Sequence, residues 1–140
     1  MSKFLIDTNI IIYLMKGEKE VINFFETILQ DENNELIFSV ITVTEIFSRP
    51  ISEKIKAAVN EFLALGMVID LNQELALLTG VLRAEMYQQG RKVPKLADAV
   101  IAMTAKVTGA VLITHNVKDF SQIPDLQICD PFQAEFDEAN

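Results

Sequence analysis

The chain has 140 residues, of which half are hydrophobic, and its 12 basic and 20 acidic side chains give a formal net charge of −8. This length and apolar content predict one soluble globular domain with a sizeable core. The acidic balance argues against a protein that merely coats nucleic acid, but it is compatible with an enzyme that meets phosphate through metal ions. The single cysteine, Cys129, excludes an internal disulfide and a cysteine-based zinc site.

The sequence indicates neither a signal peptide nor a membrane span. The apolar stretch at the N-terminus contains Asp7 and is preceded only by Lys3, and no apolar run reaches the roughly 20 residues that a membrane helix needs. We therefore expect a cytoplasmic protein without a membrane partner. The composition predicts a folded domain over residues 1–129 and an acidic tail over residues 130–140, which contains no Lys or Arg.

Strand and helix patterns alternate in chain order. Short apolar runs typical of buried strands occupy residues 4–6, 36–38, 67–69 and 111–113, with a weaker run at 126–128. Apolar spacing and capping residues predict helices near 18–30, 52–66, 72–90 and 95–108. This alternation predicts an α/β fold with a parallel sheet of four to five strands and helices on both faces.

Four acids stand at junctions between these elements. Asp7 directly follows the first strand, Glu45 lies shortly beyond the second, and Asp119 follows the fourth. Asp98 lies in the first turn of the helix predicted over 95–108, which is apolar on nearly all of its faces. Because strand carboxyl ends and helix N-termini share one edge of a parallel sheet, all four are expected to converge there. Clustered carboxylates repel one another unless a cation lies between them, and Mg²⁺ or Mn²⁺ is the natural match for oxygen ligands.

Each acid also has a structural interpretation. Thr42 and Glu45 have the spacing of a capping box, Asn116 and Asp119 have the same spacing, and Asp7 is a possible N-cap. These interpretations are weakest for Asp7 and Asp98, because both are surrounded by apolar residues. The joint arrangement favours the metal site.

Four segments occur together in the order that they have in one protein family. They are Phe4-Leu-Ile-Asp7-Thr-Asn9, Val43-Thr-Glu45-Ile, Lys95-Leu-Ala-Asp98-Ala-Val-Ile-Ala102 and Leu112-Ile-Thr-His-Asn116-Val-Lys-Asp119-Phe120. Together they resemble PIN domains, specifically the small toxin ribonucleases of VapC type. The resemblance extends over the chain except for the acidic tail.

The resemblance implies a Mg²⁺- or Mn²⁺-dependent endoribonuclease that a cognate antitoxin protein holds inactive, in a homodimer or a larger toxin–antitoxin assembly. It implies hydrolysis of RNA phosphodiesters by a metal-activated water. The matching acidic ligands are Asp7, Glu45, Asp98 and Asp119. Polar side chains beside them match at Thr8, Asn9, Thr114 and Asn116.

Positive charge near the acids predicts an RNA-binding surface. The candidates are Arg83, Arg91, Lys92, Lys95, Lys118 and His115. His115 stands where family members often have arginine, so its charge depends on protonation. An ordinary solvated turn explains residues 90–92 as well, and an exposed turn explains His115.

Adjacent rings at Phe24 and Phe25 leave open whether one of them faces a partner protein or both belong to a wide core stripe.

The sequence also allows functions other than a toxin ribonuclease. A catalytically inactive PIN-like module that binds RNA or protein has less need of four acids, and a PIN nuclease of RNA maturation is not separable by sequence. An aspartyl phosphatase is disfavoured because Asn9 stands where a second acid is usually needed.

Overall fold

Five parallel strands form one sheet in the computed structural model, which describes residues 2–133. They are β1 (Lys3–Ile6), β2 (Glu35–Ser39), β3 (Met67–Ile69), β4 (Val111–Ile113) and β5 (Ile128–Cys129). Their order across the sheet is β3-β2-β1-β4-β5, and Leu5 in β1 pairs with Ile37 in β2 and Leu112 in β4. The predicted parallel sheet is confirmed with five strands, and the fifth begins at Ile128 rather than two residues earlier.

Seven helices connect or flank these strands among the described residues. They are α1 (Thr8–Met15), α2 (Lys19–Ile28), α3 (Val40–Phe47), α4 (Glu53–Leu63), α5 (Gln73–Gln88), α6 (Leu96–Thr108) and α7 (Val117–Phe120). Ser52 caps α4 and Asn72 caps α5 through their side-chain oxygens, and Gly109 ends α6 in the left-handed conformation. Within residues 2–133, no helix combines the length and the apolar character needed to cross a membrane.

Neighbouring strand residues point to opposite faces of the sheet and build a separate core on each. Leu5, Ile37 and Leu112 pack in one core with residues of α5, α6 and α7. Ile6 and Ile113 pack in the other core with residues of α1, α2, α3 and α4. The sheet is therefore covered by helices on both faces, as the sequence predicts.

Both rings of the α2 pair belong to the second core. Phe24 and Phe25 are 2% and 4% exposed, and the ring of Phe25 meets Phe62 of α4 edge-on at 5.0 Å between centroids. The possibility that one of these rings faces a partner is wrong, because both rings are buried and α4 packs against Phe25.

The chain order reverses beside β1, which lies between β2 and β4. After β1 the chain adds β2 and β3 on one side, and it returns later to add β4 and β5 on the other. Ligands bind at such a switch point, outside the carboxyl ends of the strands. Asp7 follows β1 at this point, and its backbone N–H donates to the carbonyl of Ile113 at the end of β4 at 2.9 Å.

The acidic tail predicted over residues 130–140 is described only in part. Asp130 is 9% exposed, and residues 134–140 lie outside the described part of the chain. The boundary after residue 129 stays a prediction.

Candidate active site

Asp7 is held from both sides at the switch point. It is the N-cap of α1, where its Oδ1 accepts the backbone N–H of Thr8 at 2.8 Å. Its Oδ2 accepts the hydroxyl of Thr114, which directly follows β4, at 2.8 Å. Asp7 is 4% exposed. The capping interpretation of Asp7 is confirmed, and the same carboxylate also binds Thr114, which capping alone does not require.

Burial raises the pKa of Asp7 from its usual 3.8 to about 6. The hydrogen bonds from Thr114 and Thr8 act in the opposite direction, because they stabilise the charged form, while the nearby carboxylates of Asp98 and Glu45 raise the pKa further. Asp7 therefore lies within the electrostatic reach of two other predicted acids.

Glu45 lies on α3, in contact with the start of α1. The hydroxyl of Thr8 donates to Glu45 Oε1 at 2.6 Å and lies 3.0 Å from the hydroxyl of Thr42. The capping-box interpretation is wrong, because α3 begins one turn earlier and the side chain of Ser39 caps it. The carboxylate of Glu45 is instead bound to the helix that Asp7 caps.

Three of the four acids line one cavity of about 390 Å³, which we call the carboxylate cavity. Its lining residues are Asp7, Thr8, Asn9, Ile12, Thr44, Glu45, Ser48, Arg49 and Asp98. Asp98 reaches it from the first turn of α6. Burial raises the pKa of Asp98, the carboxylates of Asp119 and Glu45 raise it further, and the ammonium of Lys95 acts against them.

Asp119 lies beside this cavity rather than in its wall. It lines a second cavity of about 400 Å³, the loop cavity, together with His115, Asn116, Val117, Lys118, Asp130 and Gln133. Its Oδ1 is 3.8 Å from the ammonium of Lys92. The carboxylate of Asp119 raises the pKa of Asp98, so Asp119 lies within electrostatic reach of the carboxylate cavity.

The donor set of the carboxylate cavity fits a hydrated divalent cation. Carboxylate oxygens are the ligands that Mg²⁺ and Mn²⁺ prefer, and mutual repulsion among Asp7, Glu45 and Asp98 is what a cation relieves. Within residues 2–133, no three His, Cys, Asp or Glu side chains lie close enough to hold one ion directly. The fit is therefore to an ion such as Mg²⁺, which keeps several of its waters.

A family model described as PIN domain matches residues 4–126. The chain belongs to the PIN-domain family. This PIN domain is 36% identical over 129 residues to Ribonuclease VapC1 of Haemophilus influenzae (strain R2866), which is 89% of the chain and 94% of that relative. It is 32% identical over 133 residues to the tRNA(fMet)-specific endonuclease VapC of Salmonella typhimurium, which is 93% of the chain and 98% of that relative.

A solved structure agrees with this membership. The structure of DNA-bound VapBC from Salmonella typhimurium has a TM-score of 0.77 and 31% sequence identity with the PIN domain, covering 94% of the chain and 99% of that chain. Identity at this level over most of both chains places the PIN domain among the VapC proteins, and the resemblance seen in the sequence is confirmed.

Two of the predicted polar residues of the PIN domain, Thr8 and Thr114, bind its acids through their hydroxyl groups. Thr114 is fully buried, and its hydroxyl donates to Asp7 while accepting the backbone N–H of Asn116 at 3.0 Å. Thr8 joins α1 to Glu45, and Asn9 lines the carboxylate cavity. Thr114 and Asn116 therefore link Asp7 to the loop that carries Asp119.

Three of the predicted RNA-binding cations make contacts within the protein. Arg83 Nε donates to the carbonyl of Pro94 at 3.1 Å, and Arg91 donates to the carbonyl of Gln122 at 2.8 Å. Lys92 lies next to Asp119. These contacts hold the loop before α6 against α5 and the segment after α7.

The other two lysines lie nearer the acids. Lys95 precedes α6 as its N-cap residue and acts on Asp98 through its charge. Lys118 is exposed on the rim of the loop cavity. The role of all five cations in RNA binding stays a prediction.

His115 belongs to a small aromatic cluster rather than to a free turn. Its Nδ1 lies 3.0 Å from Asp130 Oδ2, and its ring packs against Phe132 at 4.3 Å and Tyr13 at 5.7 Å between centroids. These contacts attach residues 130–132 to the fold, so His115 is a partly buried structural residue, and its role in RNA binding stays a prediction.

One cation at the site is not among the residues predicted from the sequence. Arg49 lies just beyond α3 and lines the carboxylate cavity, but nothing in its local sequence distinguishes it from an ordinary charged residue before a proline. Arg49 follows Glu45 by four residues, and this spacing places both on one side of a helix. Once Glu45 was assigned to the site, the spacing could have pointed to Arg49.

Proposed function

We propose that this VapC protein is a divalent-metal-dependent endoribonuclease and the toxin of a toxin–antitoxin pair. The observation that carries the proposal is the carboxylate cavity at the switch point of a PIN domain, where Asp7, Glu45 and Asp98 meet. The relatives named ribonuclease and tRNA(fMet)-specific endonuclease support RNA as the substrate class.

Mg²⁺ or Mn²⁺ is the proposed cofactor, held by Asp7, Asp98 and Glu45 in part through water, with Asp119 contributing from the adjoining loop. Such an ion, when bound, activates an attacking water and neutralises charge on the phosphate. The high density of carboxylates and the raised pKa values of Asp7 and Asp98 support this assignment.

The protein's own groups prepare the site. Thr114 and the N-terminus of α1 fix both oxygens of Asp7 and favour its charged form. The hydroxyl of Thr8, at the N-terminus of α1, orients the Glu45 carboxylate by a hydrogen bond. Because these contacts are in place without substrate, the acids do not need to reorganise when RNA arrives.

An antitoxin protein is the proposed partner, since the similar solved structures are VapBC toxin–antitoxin complexes. An apolar groove of about 180 Å³ offers such a partner a surface. Its lining residues are Ile11, Ile12, Met15, Lys16, Ile46, Arg49, Ile51, Ile55 and Val59. The groove shares Ile12 and Arg49 with the carboxylate cavity, so a protein seated there stands next to the acids. We place the enzyme in the cytoplasm, where RNA is found.

The test is cleavage of purified RNA by the purified chain in Mg²⁺ or Mn²⁺, with initiator transfer RNA as the first substrate and a pool of other RNAs beside it. We expect Asp7→Asn and Asp98→Asn to lower cleavage at least about 100-fold, in the range seen when a key electrostatic group is removed. Asp70→Asn, an exposed acid outside the cavity, is the matched control.

Cleavage that EDTA abolishes and that fails in both variants supports the proposal. Binding of RNA without cleavage in either metal contradicts it and favours a PIN-like binding module. Cleavage that survives in Asp7→Asn assigns the activity to something other than this cavity.

A further inference from the structure

Arg49 brings a positive charge to the wall of the acidic carboxylate cavity. It follows Ser48, the C-cap of α3, and its side chain is exposed. The cavity otherwise presents the carboxylates of Asp7, Glu45 and Asp98. A negatively charged substrate entering this cavity meets repulsion from the acids and attraction from Arg49.

The guanidinium of Arg49 has no partner among residues 2–133. Glu45, four residues earlier, is the acid that helical spacing offers to it, yet the carboxylate of Glu45 accepts the hydroxyl of Thr8 at 2.6 Å and forms no ion pair with Arg49. The five donors of the arginine fork are therefore available to a ligand.

The hydroxyl groups on the same wall are already used. Thr44 donates to the carbonyl of Val40 at 3.3 Å, and Ser48 donates to the carbonyl of Thr44 at 2.7 Å. Arg83, Arg91 and Lys92 are likewise engaged within the protein. Among the described residues that line the carboxylate cavity, Arg49 is the one cation.

We propose that Arg49 forms a phosphate-binding subsite, which holds a backbone phosphate of RNA next to the phosphate that is cleaved. This inference rests on the proposed ribonuclease function and adds a residue to its substrate site. The guanidinium fork matches two phosphate oxygens at once, which an ammonium does not. Its exposed position at the rim of the cavity assigns it to the neighbouring phosphate, while the carboxylates and their cation surround the scissile one.

The test compares Arg49→Ala with Arg49→Lys and Lys16→Ala. Lys16 is the matched control, because it lines the apolar groove with Arg49 but does not line the carboxylate cavity. Binding of a fluorescent 20-nucleotide single-stranded RNA is measured by anisotropy in Ca²⁺ at several KCl concentrations. Steady-state cleavage of the same RNA is measured in Mn²⁺.

We expect Arg49→Ala to raise the Kd and the KM about 10-fold, as for loss of a charge-assisted hydrogen bond, and to change kcat by less than about threefold. The slope of log Kd against log salt concentration should fall by about 0.7, which corresponds to one phosphate contact on a single strand. Arg49→Lys should recover the salt slope but only part of the affinity. Lys16→Ala should stay within about twofold of the wild type.

Equal effects of Arg49→Ala and Lys16→Ala overturn the subsite, because they indicate a general loss of positive charge. An unchanged Kd in Arg49→Ala overturns it as well, including where the variant weakens binding of a protein partner instead. A wild-type chain that binds RNA but does not cleave it contradicts the proposed function, whereas the comparison of Kd values still decides the role of Arg49.

Discussion

At the scale of single residues, Asp7 combines two roles that oppose each other energetically. As the buried N-cap of α1 it stabilises the helix through the Thr8 N–H, yet burial raises its pKa to about 6. A carboxyl group whose pKa is higher in the folded state than in the unfolded state disfavours folding once it ionises. The folded protein therefore retains an ionised Asp7 at neutral pH for a purpose other than stability.

Asp7→Asn is expected to stabilise the metal-free protein at neutral pH. The destabilisation by ionised Asp7 is absent below pH 3.8, grows between pH 3.8 and about 6, and is complete above pH 6. It reaches at most about 3 kcal/mol, because one pKa unit corresponds to about 1.4 kcal/mol. Urea unfolding in EDTA at pH values from 4 to 8 measures the difference between variant and wild type.

The control for this experiment is Asp70→Asn, which changes an exposed acid and should shift the free energy of unfolding by less than about 0.5 kcal/mol. A stability difference for Asp7→Asn that is the same at pH 4 and pH 8 contradicts the assignment. Adding Mn²⁺ should favour the wild type selectively, because an ion that binds only the folded state stabilises it.

Thr114 controls the charge of Asp7 through one hydrogen bond. Its hydroxyl donates to Asp7 Oδ2 at 2.8 Å and holds the pKa of that carboxyl below the value that burial alone produces. Thr114→Val removes the donor at nearly constant volume, so the pKa of Asp7 should rise above 6. The rising limb of the profile of kcat/KM against pH, measured at subsaturating Mg²⁺, should move to higher pH.

Thr114→Ser retains the hydroxyl and should restore the wild-type profile. If Thr114→Val instead lowers kcat/KM equally at every pH, Thr114 acts on packing rather than on the charge of Asp7. Its effect on stability does not interfere, since the comparison uses the shape of the pH profile.

At the scale of helices and strands, the long helices and buried strands followed from apolar patterns, whereas the short helices at the site were suggested only by possible capping residues. Residues 40–44 are Val-Ile-Thr-Val-Thr, a run with low helix propensity, yet they form most of α3 because Ser39 caps it and Ile46 packs in the core. The sequence therefore placed Glu45 at the site, but its capping-box interpretation began the helix at Thr42 rather than after Ser39. The contact from Thr8 depends on the packing of α1 against α3, and no local pattern encodes it.

Gly66, in the turn between α4 and β3, packs closely against β2. A Cβ added to Gly66 would lie 2.3 Å from the carbonyl oxygen of Leu36 in β2, so the strand or the turn must shift to accept a side chain. Gly66→Ala is expected to destabilise the protein by about 2 kcal/mol, in the range found for overpacking. Chemical denaturation at fixed pH measures the change.

Gly80→Ala is the matched control for that substitution. Gly80 lies within α5, and an added Cβ meets nothing within 4 Å. Because alanine favours the helix over glycine by about 1 kcal/mol, this variant should be stabilised. Equal stability of the two variants argues against a tight approach of Gly66 to β2.

At the scale of the whole molecule, the alternation of strands and helices determined the fold class, and the edge of a parallel sheet determined where to look for a site. The strand order had to come from the structure, since apolar runs do not state which strands are neighbours. The same holds for Asp119, which follows β4 as expected but faces the loop cavity and Lys92. The spacing of Arg49 from Glu45 suggested a shared side of a helix, but its place in the cavity wall also depends on how α1 packs against α3.

The residues directly after β5 are attached to the rest of the domain. Asp130 is paired with His115, and Phe132 packs on both His115 and Tyr13. These contacts fasten the chain after β5 to α1 and to the loop that follows Thr114. A chain of residues 1–129 loses them, so it should be less stable than a chain of residues 1–133 by about 1 to 3 kcal/mol, the range for a lost hydrogen bond and aromatic contact.

Thermal and urea unfolding of these two truncated chains measures the difference, and choosing residues 1–133 as the reference limits the change to four residues that the structure describes. Within the 1–133 chain, Phe132→Ala separates the aromatic contact from the His115–Asp130 pair. Because Asp130 and Phe132 lie beside the loop that carries Asn116 and Asp119, the shorter chain should also lose RNA cleavage. Equal stability and equal cleavage in both chains place the end of the functional domain at residue 129, since residues 130–133 then contribute to neither the fold nor the site.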